Sequence, residues 1–128
     1  SSDWASEAPD EAEQRWAPHS RIWWRQAYAP KDLDAFAAWT KSVVLQYRER
    51  IHAWEYLNEP LGHYQSLPVG APSHADYKVS DYLRLLKAWS SAVKESDPSA
   101  IRVGGLSCEP GAAINAFIES GGLDYVDA

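Results

Sequence analysis

The stretch Trp54-Glu55-Tyr56-Leu57-Asn58-Glu59-Pro60 decides how this chain is read, because an amide and a carboxylate sit side by side where an apolar segment stops. Residues 51–57, rich in aromatic and branched side chains, predict a strand buried on both faces of a parallel sheet. A period of two sets Glu55, Leu57 and Glu59 on one side of that strand, so a local bulge is required for Asn58 to reach the same place. Pro60 has no N–H for a strand ladder, and the chain must turn where the carboxylate is presented. The Glu59 carboxyl has the chemistry to protonate a glycosidic oxygen and later to take a proton from water. The Asn58 amide can bond a sugar 2-hydroxyl, a contact that strengthens as the ring becomes oxocarbenium-like.

Working outward, residues 1–30 hold Pro9, Pro18 and Pro30 without a sustained period and read as a long loop. From Asp32 as N-cap, Leu33, Phe36, Ala37, Val43, Val44 and Tyr47 recur at helical spacing and predict a helix near 32–49. Residues 61–76, with Gly62, Pro68, Gly70 and Pro72, form a loop that carries His63, Tyr64 and His74. Tyr82, Leu83, Leu86, Trp89 and Val93 predict a second helix near 79–96, stopped by Asp97-Pro98. A strand at 101–106, a short helix at 112–119 closed by Gly121-Gly122, and a third strand opening at 123–126 complete a βαβαβ order.

The bulk properties narrow the function. A chain of 128 residues is ordinarily one domain. Twelve basic against eighteen acidic residues, a formal charge of −6, argue against a phosphate-tracking surface and hence against nucleic acid. The single Cys108 excludes an internal disulfide, and the spacing of His19, His52, His63 and His74 matches no zinc pattern. No apolar run approaches the length of a membrane span. The start reads as internal, so the lack of a leader sequence leaves the compartment open and secretion compatible with the sequence. Among the seven tryptophans, Trp16, Trp23 and Trp24 fall in the aperiodic first segment, where flat indole faces serve either to stack on sugar rings or to cap a satellite core.

The Trp54 to Pro60 segment resembles the acid/base motif of clan A glycoside hydrolases, whose (β/α)8 barrels carry Trp-Glu-x-x-Asn-Glu-Pro at the end of the fourth strand. Asp3-Trp4-Ala5-Ser6, Tyr28-Ala29-Pro30-Lys31-Asp32-Leu33 and Ile101-Arg102-Val103-Gly104-Gly105-Leu106 look like the flanking elements of family 39 or related family 5 members. The resemblance implies an α/β fold, a partial (β/α)8 TIM barrel. A complete barrel takes about 250 residues, so residues 1–128 would be about half of one, a fragment of a single catalytic domain from the end of the strand-three region to strand six. Glu59 becomes the general acid/base and Asn58 the 2-hydroxyl partner. Trp4 resembles an aromatic near the cleft after strand three, and His63 lies on the loop after the acid/base.

The implied reaction is retaining hydrolysis of O-glycosidic bonds in oligo- or polysaccharides, with no cofactor and no metal. Such an enzyme needs two carboxyl groups about 5–5.5 Å apart, and the family's nucleophile, a Glu ending strand seven, has no counterpart motif here. The expectation is therefore an acid/base without its nucleophile, inactive by itself. The competing expectations are a non-catalytic carbohydrate binder or pseudoenzyme half-barrel, and an interaction half-barrel that self-associates through open sheet edges. Glu55 reads as structural, paired with a buried arginine. Gly104-Gly105, lacking the rest of a dinucleotide fingerprint, reads as close packing in a strand, and Glu109 as a solvated loop carboxylate.

Overall fold

The computed structural model describes residues 28–57, 60, 78–105 and 111–128. Helix α1 spans Leu33–Tyr47, strand β1 Ala53–Tyr56, helix α2 Val79–Ser96, strand β2 Ile101–Gly104 and helix α3 Ala112–Glu119, followed by a 3₁₀ turn at Gly122–Tyr125.

Each helix starts and stops for a local reason. Asp32 is extended, and its carboxylate accepts the Ala35 N–H at 2.9 Å, which satisfies one of the donors a helix start leaves unpaired. At the start of α2 the Lys78 N–H donates to Asp81 Oδ2 at 3.0 Å, and the Asp81 charge sits at the positive end of the helix dipole. Tyr82, Leu85, Leu86, Trp89 and Val93 then form one buried stripe along α2. Helix α3 ends with Gly121 in the left-handed conformation (φ 77°), the usual glycine exit. Beside it, a Cβ on Gly122 would overlap the Phe117 ring, so this position admits only glycine without repacking.

The strands are parallel, in register from Ala53 opposite Ile101 to Tyr56 opposite Gly104, with α2 as the crossover. Tyr56 turns its ring into the helical layer, where it stacks on Trp89 (centroids 5.5 Å) and Tyr82 (6.0 Å). Val44 from α1, the α2 stripe and Phe117 from α3 close the core around it. Burying each such side chain stabilises the fold by roughly 1.5–3 kcal/mol.

Two expectations fail here. Strand β1 is not buried on both faces, for Ala53 and Glu55 are exposed while Tyr56 is buried. Among the described residues, α1 and α2 cover the Tyr56 face, and the burial follows that asymmetry. The expected third strand at 123–126 is instead the 3₁₀ turn, because the left-handed Gly121 and the packing of Gly122 beneath Phe117 wind the chain tightly before it can extend. Only beyond it does the backbone run beside β2, with the Asp127 N–H donating to the Arg102 carbonyl at 2.7 Å and the Gly104 N–H donating to the Ala128 carbonyl at 2.9 Å.

These findings overturn the expected partial (β/α)8 TIM barrel. The described residues form a small mixed α/β fold with one two-stranded parallel sheet and three helices.

A polar clasp fastens the end of the chain. Arg102 donates to Asp127 through Nε (3.0 Å) and Nη2 (2.8 Å), and to Ser90 Oγ through Nη1 (2.7 Å). Lys94 adds a second cation 3.3 Å from Asp127. The Arg102 hydrogen bonds hold the Asp127 carboxyl well below the usual carboxylate range, and the same bonds raise the Arg102 guanidinium.

Candidate functional site

The carboxyl ends of β1 and β2 lie side by side, and in parallel α/β sheets this is the edge where ligands are bound. The strand ends differ in backbone conformation. Leu57, the first residue past β1, has φ 60°, the left-handed region, and among the described residues it is the one non-glycine with positive φ. A leucine held there costs about 1–2 kcal/mol against the right-handed alternative, and such strain gathers at functional sites. The bulge expected for Asn58 lies outside the described residues, while the β1–β2 register from Ala53 to Tyr56 is uninterrupted.

Gly105, the first residue past β2, makes room for the Leu57 carbonyl. A Cβ at Gly105 would overlap the Leu57 carbonyl oxygen and come within 2.8 Å of Glu55 Oε1. The close packing read from Gly104-Gly105 is therefore a contact between the two strand ends, made at Gly105.

A cleft of about 500 Å³ opens along β1 and α1, with Tyr28, Phe36, Trp39, Trp54, Glu55 and Leu57 in its lining. Trp39 is 62 % exposed although it lies on α1, and the Trp54 indole Nε1 is buried with no hydrogen-bond partner among the described residues. The cleft thus combines aromatic faces with one carboxylate, a lining suited to a ring with an apolar face and polar edges.

The candidates Asn58, Glu59, Trp4 and His63 all lie outside the described residues, as do His74, Glu109, Cys108, Trp16, Trp23 and Trp24. Pro60, which closes the motif, is described and fully buried. Glu55 departs from its expected role. It is exposed and makes no ion pair with any described residue; Arg102 stands opposite Trp54, on the sheet face that meets α2 through Ser90, whereas Glu55 stands opposite Val103 on the other face.

Sequence reasoning missed Leu57, the Trp39 wall and the Arg102–Asp127 clasp. Trp39 carried a usable signal, standing between Phe36 and Val43 at helical spacing. Leu57 carried none, since leucine is an uncommon left-handed residue.

Among the described residues no group of three or more His, Cys, Asp or Glu side chains could hold a metal ion, and no helix is long and apolar enough to cross a membrane. No protein-family model matches the chain, and a search of curated proteins found no match.

Proposed function

We propose that this chain carries the acid/base end of a retaining glycoside hydrolase, with Glu59 as the proton donor and acceptor and Asn58 as the 2-hydroxyl partner. The observation that supports it is the left-handed Leu57 at the carboxyl end of β1, directly before Asn58-Glu59-Pro60 in sequence. A strained residue at a parallel strand end, against a partner that must be glycine, is what a polar pair with a positional task requires.

In the proposed cycle Glu59 protonates the oxygen of the departing sugar while a second carboxylate attacks the anomeric carbon. Water then displaces that carboxylate, and Glu59 takes up the proton. The attacking carboxylate matches no motif in these 128 residues, and the proposal places it outside them. The substrate is an oligo- or polysaccharide. Trp4 and His63 are proposed as further sugar contacts.

The test is Glu59→Gln in the full-length protein, assayed on a pair of glycosides that differ only in the leaving group. Alkyl glycosides need a proton on departure, so their hydrolysis falls by about 10²–10⁴-fold. Dinitrophenyl glycosides leave without one, and their first step stays near the parent rate. Equal effects on both substrates contradict the role of Glu59.

A second reading, a carbohydrate binder without turnover, draws on the aromatic cleft, whose exposed Trp39 is suited to stacking on a sugar ring. Calorimetric binding of oligosaccharides with no reducing sugar released would favour it.

A further inference from the structure

We infer that Gly105 and Leu57 are positioning residues for the Asn58-Glu59 pair, acting through backbone conformation and not through side-chain burial. The inference rests on the acid/base reading of Glu59 and adds to it residues on a second strand.

Three observations converge. Leu57 is left-handed (φ 60°), so the chain ceases to be extended at the residue directly after β1. Its carbonyl occupies space that any side chain on Gly105 would claim, and Glu55 Oε1 lies within 2.8 Å of the same point. Gly105 in turn follows β2, which is held in register by pairing of Tyr56 with Gly104 and by the Ala128 carbonyl on the Gly104 N–H. The Leu57 carbonyl is therefore seated against the end of the second strand. Neither Leu57 nor Gly105 has a group that could exchange a proton or bind an ion, and both act only by aiming the chain.

A methyl group at position 105 pushes the Leu57 carbonyl away and tilts the following peptide. A displacement of about 1 Å at a reacting group costs on the order of 10²-fold in rate. The loss falls on the step that needs Glu59 in place.

The experiment uses Gly105→Ala, Leu57→Val and Leu57→Asn in the full-length protein, with Glu59→Gln beside them. Each is assayed on alkyl and dinitrophenyl glycosides, and folding is checked by thermal melting. Asparagine tolerates the left-handed region and valine does not, whereas valine keeps the apolar side chain and asparagine does not. Positioning predicts that Gly105→Ala and Leu57→Val each lose about 100-fold on alkyl glycosides and much less on dinitrophenyl glycosides. It predicts that Leu57→Asn loses at least about tenfold less than Leu57→Val.

The inference is overturned if Leu57→Val outperforms Leu57→Asn, since the side chain then matters for its packing. It is also overturned if Gly105→Ala keeps the parent ratio between the two substrates. If Glu59→Gln is crippled on alkyl glycosides and Gly105→Ala is not, this inference alone falls. If Glu59→Gln itself behaves like the parent, the acid/base reading falls and takes the inference with it.

Discussion

Arg102 shows how much one residue of β2 holds together, since its side chain reaches α2 through Ser90 and the end of the chain through Asp127. The Asp127 carboxyl titrates lower in the folded protein than in the unfolded chain, where an aspartate has a pKa of about 3.9. The sign follows. The clasp contributes fully above that unfolded value and is lost as pH falls below it towards the depressed folded value. Asp97 adds a contribution of the same sign, its carboxylate held down chiefly by the Ser99 hydroxyl at 2.6 Å. Thermal melts across pH 2–7 are therefore predicted to show Asp127→Asn less stable than the parent at neutral pH and the gap narrowing below about pH 4. A gap that stays constant with pH would remove the charge of Asp127 from the account.

At the level of elements, two substitutions test why each segment ends where it does. Asp32→Ala removes the acceptor for the Ala35 N–H and is predicted to cost about 1 kcal/mol in chemical denaturation, within the range for N-caps. Gly122→Ala drives a methyl into the Phe117 ring and is predicted to cost about 1–3 kcal/mol by overpacking; no change would mean that the 3₁₀ turn adjusts freely. The helices were legible in the sequence because their signals are local. Asp32, Asp97-Pro98 and Gly121 mark their ends, and helical spacing marks the buried face of α2. The third strand was misread for a different reason. Leu123 to Val126 has the composition of a strand, and what winds it into a 3₁₀ turn is the left-handed Gly121 and the packing of Gly122 against the Phe117 ring, a local contact that strand composition does not reveal.

For the molecule as a whole, a two-stranded parallel sheet is marginal by itself and depends on the helices packed against it. α1 and α2 supply that support through Val44 and the α2 stripe, with the Lys41–Glu95 ion pair between the two helices at the surface. Between α1 and β1 the aromatic cleft, with Trp39 on its wall, stays open among the described residues. The 128-residue chain by itself is predicted to self-associate, with a sedimentation coefficient that rises with concentration, through this apolar surface and the sheet edge. A monodisperse monomer would contradict that prediction. Asn58 and Glu59 are adjacent in sequence and lie outside the described residues, so their proposed role rests on the sequence, whereas the Leu57–Gly105 contact joins residues from different strands and exists only after β1 and β2 pair. The barrel inferred from family likeness did not survive because resemblance at a strand end carries no information on how many strands surround it.

The central claim, that Glu59 exchanges the proton, is tested most directly by the pH dependence of kcat/KM for an alkyl glycoside in the full-length protein and in Glu59→Gln. The parent should show a basic limb as its acid loses its proton, and the variant should lose that limb and run flat on the alkaline side. A Glu59→Gln variant that keeps the parent's basic limb would place the acid elsewhere and contradict the account.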